Sequence, residues 1–212
     1  MPRKKYPEET VQTILDAALK LFLKKGYEDT TILDIVDELG GLTRGAFYHH
    51  FKSKEEVLLA LTSKMFYDNN LFEHAKEEKG LTGLEKIKFM LVESFEESNS
   101  NYRKISMEVL KLLTSPRFLK SLIDDNRDIV APMYQEIIEE GMRDGSIKTE
   151  NPKLLAELFT ILTNFWMIPT IFPCNEKESW ERFLFIKELT DKMGLPVFDE
   201  EILELCRKSM GQ

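Results

Sequence analysis

Thr31-Ile-Leu-Asp-Ile-Val-Asp-Glu-Leu-Gly-Gly-Leu-Thr-Arg-Gly-Ala-Phe-Tyr-His-His-Phe-Lys-Ser-Lys54 carries two short helical patterns separated by a pair of glycines. Thr31 and Asp34 stand at the spacing of a capping box. Ile32, Ile35 and Val36 then point inward, and Gly40-Gly41 ends the helix. The next helix starts at Thr43, whose hydroxyl can cap it, and runs to about His50. Two short helices joined by a tight glycine turn make a helix-turn-helix pattern. The second helix of such a pair meets the DNA major groove with its N-terminal residues. Thr43, Arg44, Gly45 and Ala46 suit that place. Arg44 can contact phosphate or pair bidentately with guanine, phosphate contacts being the commoner kind. Gly45 and Ala46 remove bulk so that backbone can approach. Tyr48 and His49 are polar groups within reach of phosphate or a base edge. Leu42, Phe47 and Phe51 are expected to face a small core.

Charge tests this reading. The 212-residue chain has a net charge of −8, which opposes binding to phosphates. Its distribution is uneven. Residues 1–54 hold nine Lys/Arg and eight Asp/Glu, while the remainder holds 20 and 29. The acid is concentrated after residue 54, which suggests two jobs on one chain. Lys4 and Lys5 suit either a solvated tail or an arm on the DNA backbone.

Outward from residues 31–54, every periodic stretch is helical, and no strand is expected. A first helix from about Pro7 to Lys25 shows an apolar stripe of Val11, Ile14, Leu15, Ala18, Leu21 and Phe22. Ser53 and Glu56 form a second capping box, opening a helix expected to reach Lys79. Thr82-Gly-Leu-Glu85 opens another, and Tyr102 to Leu113 a further one. Pro132 predicts a boundary or kink nearby. Asn151-Pro152 opens a helix expected to reach Ile171, and Glu176 to Met193 and a segment from Asp199 to about Ser209 complete the set. The fold class is all-α, with nine to ten helices: an N-terminal three-helix DNA-binding domain, residues 1–53, and a C-terminal helical effector-binding and dimerisation domain, residues 54–212.

Other function classes fare poorly. A 42% hydrophobic content spread along the chain excludes disorder. Two cysteines, Cys174 and Cys206, make no disulfide framework, and a cytoplasmic location is expected. The first residues lack the apolar run of a signal peptide, and no stretch is long and apolar enough for a membrane span. No phosphate-cradling glycine loop or nucleophile pattern is present, so no enzyme and no cofactor is expected. His49 and His50 point in different directions on a helix and lack a third ligand, so no metal site is expected.

The run Gly40-Gly-Leu-Thr-Arg-Gly-Ala-Phe-Tyr-His-His-Phe-Lys-Ser-Lys-Glu-Glu-Val-Leu58 resembles, without a gap, the DNA-binding domain of TetR-type (tetracycline-repressor-like) regulators. Gly40 replaces the alanine common there and is expected to loosen the end of the second helix. The resemblance implies a DNA face of Thr43, Arg44, Ala46, Tyr48 and His49, with Gly45 among the DNA-binding residues and Thr31 on phosphate at the start of the second helix. It implies that Lys54 holds a backbone phosphate. It implies a homodimer on double-stranded operator DNA, joined through helices near 152–171 and 177–193. Candidate interface residues are Leu155, Leu158, Phe159, Leu162, Phe183, Ile186 and Leu189, since a helix apolar on all sides is buried on more than one face. Phe66, Phe89, Phe95, Tyr102, Met107, Met133, Tyr134 and Trp166 are candidates to line a pocket for a small apolar or amphipathic effector. Repression released by that effector is the expected function. The alternative is a helical interaction protein or an activator without a small-molecule ligand.

Overall fold

A computed structural model describes residues 8–41, 43–68, 70–96, 110, 113 and 116–209. Among them there is no strand. The helices are α1 (Glu8–Lys25), α2 (Ile32–Glu38), α3 (Arg44–His50), α4 (Lys54–Asp68), α5 (Leu71–Glu77), α6 (Gly83–Glu96), α7 (Pro116–Asp125), α8 (Ala131–Asp144), α9 (Pro152–Ile161), α10 (Glu176–Lys192) and α11 (Glu200–Ser209). A π-helical turn, Asn126–Val130, joins α7 to α8, and another, Leu162–Trp166, extends α9. The chain is therefore all-α.

Of the described residues, those up to Asp68 with 110 and 113 belong to one compact unit, and 70–96 with 116–209 belong to the other. In the first, α1 packs on α2 and α4, and α2 packs on α3. Its core holds Ile14, Ala18 and Phe22 of α1, Ile35 of α2, Phe47 of α3, Phe51, and Val57, Leu58 and Leu61 of α4. The boundary expected at residue 53 thus falls inside this unit. The reason is that α4 turns its buried residues onto the same core as α1.

Short helices need caps, because a single turn cannot satisfy its own terminal amides. Thr31 and Asp34 make the expected capping box, with Asp34 N–H donating to Thr31 Oγ1 at 3.1 Å and Thr31 N–H to Asp34 Oδ2 at 2.7 Å. At α4, Glu56 N–H donates to Ser53 Oγ at 3.1 Å, and the Glu56 carboxylate accepts from Lys52 N–H at 2.7 Å. Gly40 has φ +62°, in the left-handed region. It is a helix stop, not a loosening, because this conformation is cheap only for glycine.

The second unit differs from the sequence expectation in three places. The helix expected to run to Lys79 breaks at Asn70, whose buried side chain accepts from Phe72 N–H at 3.1 Å and starts α5. Pro132 has no N–H, and the chain upstream slips to a wider turn in which Ala131 N–H donates to Asn126 O. The helix from Pro152 ends at Trp166, short of Ile171. There Arg182 of α10 donates to the carbonyls of Phe172, at 2.8 Å, and Pro173, at 3.2 Å, beyond the helix end.

In this unit α8 packs against α6 and α9, α5 against α6, and α11 against α6. A ladder of rings crosses its core. Tyr134 meets Phe72 at 4.8 Å and Phe159 at 5.0 Å, and Phe183 meets Phe198 at 4.9 Å between centroids. Where α6 begins, its backbone touches α8. A Cβ on Gly83 would stand 2.3 Å from Gly141 N and 2.6 Å from Ile137 O. Asp144 Oδ2 accepts from Gly83 N–H at 2.8 Å, and Ser146 Oγ accepts from Leu84 N–H at 3.2 Å.

Two substitutions test these backbone constraints. Gly83→Ala forces backbone apart, so we expect a loss of about 2 kcal/mol or more in chemical denaturation. Gly40→Ala leaves packing intact, since no atom lies within 4 Å of the new Cβ. It should still cost about 1 kcal/mol through the left-handed backbone alone, with Gly41→Ala as the milder control.

Candidate nucleic-acid interface

Phe47 is completely buried, so the rest of α3 is oriented about it. Thr43, Arg44, Gly45, Tyr48 and His49 are exposed, and Ala46 is half-buried. Tyr48 keeps 51% of its surface in water although its ring meets that of Phe47 at 5.6 Å. Arg44 has no ion pair or hydrogen bond among the described residues. A Cβ on Gly45 would meet only Thr43 Oγ1, at 3.8 Å, so the glycine lies in open space. His49 and His50 touch edge to face at 5.2 Å, and the described residues hold no cluster with the makings of a metal site. Leu42, Lys4 and Lys5 lie outside the described residues.

The two threonines differ in what they have left to offer. Thr43 Oγ1 accepts from Ala46 N–H at 3.2 Å, which leaves its own proton free to donate to phosphate oxygen. Thr31 donates its hydroxyl proton to Asp34 Oδ2 at 2.6 Å and its N–H to the same oxygen. Lys25 pairs with that carboxylate at 2.8 Å. The Lys25 ammonium and the Thr31 hydroxyl together hold Asp34 well below the usual carboxylate range. Thr31 here is a helix cap first. To donate to a phosphate it must exchange Asp34 for it.

Lys54 is similarly engaged. Its ammonium donates to Tyr27 O at 2.5 Å and Glu28 O at 3.2 Å, and lies 4.1 Å from the Tyr27 ring centroid. Burial lowers the Lys54 pKa from its ordinary value. Burial, with help from Glu55 and Glu28, pushes the Tyr27 phenol up to about 12. Lys54 ties the start of α4 to the turn after α1, and one of its three N–H donors remains for phosphate. Sequence reading missed this role because the partners stand 26 and 27 residues away and both acceptors are backbone carbonyls.

The expected dimer residues divide. Leu155, Phe159, Phe183 and Ile186 are buried in the core of their own chain and cannot reach a partner. Leu158, Leu162 and Leu189 are half-buried. The apolar side chains that α9 and α10 leave in water are instead Leu154, Ile161, Leu184 and Phe185, at 59, 53, 40 and 54% exposure. Period alone could not separate these faces, since α9 is apolar all round.

Among the pocket candidates, Phe89, Met133 and Tyr134 are half-buried in the second unit. Trp166 meets Phe185 at 5.9 Å and has Arg182 above its ring at 5.8 Å, which puts it with the exposed face of α10. The side chains of Phe66 and Phe95, and the whole of Tyr102 and Met107, lie outside the described residues.

Comparison with known proteins agrees with the helix-turn-helix geometry. Residues 14–61 match the model of bacterial regulatory proteins of the tetR family. The HTH-type transcriptional repressor KstR2 of Mycobacterium tuberculosis is 30% identical over 142 residues, 65% of this chain and 68% of that protein. A TetR-family transcriptional regulator from Pectobacterium atrosepticum shares the fold with a TM-score of 0.64, at 23% identity over 89% of this chain and 95% of its own. The structure of a SmeT–triclosan complex does so with a TM-score of 0.59, at 20% identity over 95% and 91%. With the capped α3 presenting Thr43, Arg44 and Tyr48 to solvent, the chain belongs to the tetR family of bacterial regulatory proteins and is a DNA-binding transcriptional regulator.

Proposed function

We propose that the chain is a cytoplasmic repressor, not an enzyme, that binds a near-palindromic double-stranded operator as a homodimer and leaves it when a small apolar or amphipathic molecule binds the second unit. The observation that carries this is the outward face of α3. A buried Phe47 holds the helix, and the uncommitted groups of Thr43, Arg44 and Tyr48 stand around it. Gly45, Ala46 and His49 complete the face. Thr31 is a second-rank contact, available when Asp34 yields, and Lys54 offers the one N–H that Tyr27 O and Glu28 O leave free. Residues 1–53, with Lys54 at the start of α4, supply the DNA contacts. Residues 54–212 supply effector binding and dimerisation, with α4 carrying the chain from one to the other.

Half-sites of a dimeric helix-turn-helix protein lie about one helical turn apart, roughly 34–36 Å. An effector that favours a conformer with the two α3 helices wrongly spaced therefore weakens binding. Such coupling is reciprocal, so operator DNA weakens the effector by the same factor. The SmeT–triclosan complex supports a small-molecule site in a relative of the same fold. For the dimer, the uncovered Leu154 and Ile161 of α9, with Leu184 and Phe185 of α10, offer a self-complementary apolar face.

Arg44→Ala combined with Tyr48→Ala should abolish the mobility shift of the chain's own promoter DNA while leaving the melting temperature unchanged. Each base or phosphate contact removed costs about 1–3 kcal/mol. Unchanged binding would sink the assignment of this face. Phe185→Glu places a charge in the proposed dimer contact. Sedimentation should then report a monomer, and operator affinity should fall by at least a hundredfold. A dimer that survives this change places the contact elsewhere.

A further inference from the structure

The donors of the first unit fall into two kinds. Thr43 keeps its hydroxyl proton free, and Arg44 has no ion pair or hydrogen bond among the described residues. Around the start of α2 the donors are taken, and by a single carboxylate oxygen. Asp34 Oδ2 accepts from Thr31 N–H at 2.7 Å and from the Thr31 hydroxyl at 2.6 Å, and it lies 2.8 Å from Lys25 Nζ. Lys25 stands in the last turn of α1, so its ammonium is drawn toward α2. The fold has little use for the negative charge itself. Thr31 Oγ1 caps the N–H of residue 34 whatever side chain that residue carries, and a neutral amide oxygen can accept the Thr31 N–H in return, as glutamine does in capping boxes. The Lys25–Asp34 pair keeps 34 and 36% of its side-chain surface in water, and pairs so exposed add little to stability.

The charge matters more for what DNA meets. The charges of Glu28, Asp29, Lys25 and Asp34 all reach the Lys54 ammonium, so these groups form one cluster. The corner where α1 ends and α2 and α4 begin thus sets two cations against three carboxylates. Lys20 of α1 is held in the same manner as Lys25, by Glu38 of α2. DNA affinity comes largely from cations that take the place of counterions on phosphates. A cation already paired within the protein does so only by giving up its partner.

We propose that Asp34 is a positioning residue that withholds Lys25 from the DNA backbone, so that the regulator binds DNA less tightly, and with a shallower salt dependence, than its cations permit. This rests on the reading that α3 and the start of α2 meet DNA. A phosphate contact strengthens binding to all sequences about equally. Withholding one keeps the protein off unrelated DNA, while the choice among sequences stays with α3.

The test follows binding of the full chain by fluorescence anisotropy over a series of KCl concentrations. The probes are a labelled fragment of the chain's own promoter and a labelled duplex of unrelated sequence. Asp34→Asn removes the charge and keeps an oxygen for the Thr31 N–H. The freed Lys25 should add one phosphate contact and steepen the slope of log K against log[KCl] by about 0.9 on both DNAs. From about 50 to 200 mM KCl the variant should then lose about 3.5 times as much affinity as the wild type, starting from tighter binding. Asp34→Glu keeps both charge and cap and should restore the wild-type slope. Asp34→Asn combined with Lys25→Met should return to that slope as well. If the melting temperature of Asp34→Asn falls, Asp34→Gln takes its place, since a capping box accepts glutamine. A purely structural Asp34 gives weaker binding in the neutral variant with no change of slope, and that result overturns the proposal. A steeper slope that survives Lys25→Met overturns it too, because the gain then comes from lost repulsion and not from Lys25. If the wild type binds neither DNA, the α3 interface fails and takes this proposal with it. If the wild type binds and the neutral variant keeps its slope, the interface stands and the proposal alone fails.

Discussion

A helix of seven residues does not hold together in water, so α3 exists because Phe47 is buried. Removing a phenylalanine side chain from water contributes about 1.5–3 kcal/mol, more than the caps at either end of so short a helix. Phe51 follows one turn later with its ring 6.1 Å from that of Phe47, and its N–H donates to Phe47 O at 2.9 Å. These two rings anchor one side of α3. The opposite side is left to Arg44 and Tyr48 as a matter of geometry. Recognition and stability are thus divided between neighbouring residues: Tyr48 is in water because Phe47 is not.

Around that anchor the first unit is held by contacts between chain segments that are distant in sequence. Lys54 reaches back to the carbonyls of Tyr27 and Glu28. Lys20 of α1 pairs with Glu38 of α2, and Lys25 with Asp34. Exposed ion pairs of this kind contribute little each. They matter because they span α1 and α2, while the buried Val57, Leu58 and Leu61 bring α4 to the same core. The second unit uses a different device. Its α6 and α8 approach until glycine backbone meets glycine backbone, and its aromatic rings form the contact between α5, α8 and α9.

Much of this was legible from local pattern. The caps at Thr31, Thr43 and Ser53, the glycine stop after α2 and the inward Phe47 and Phe51 are all decided within a few residues, and local rules suffice for them. What depended on distant partners was not legible. Lys54 reads as a phosphate ligand alone, and its second task, holding the carbonyls of the α1–α2 turn, shows only when they are placed beside it. Leu155, Phe159, Phe183 and Ile186 read as interface residues because a helix apolar on every side gives no direction to its faces. The break at Asn70 was hidden by apolar spacing that continues across it, and only the buried amide that caps α5 decides against one long helix. Pro132 announced an irregularity, but its form, a wider turn upstream, comes from which carbonyl the Ala131 amide finds.

The uncovered stripe on α9 and α10 carries a consequence for how the chain behaves at different abundance. Leu154, Ile161 and Phe185 each leave about half or more of their surface in water. In a pair closed over that stripe, folding and association share one free energy, and mass action makes it grow with the amount of protein present. Scarce protomers would be both less stable and less able to grip two half-sites at once. Occupancy of an operator would then rise more steeply than in proportion to protein, giving a threshold in expression level that no feature of α3 by itself could produce.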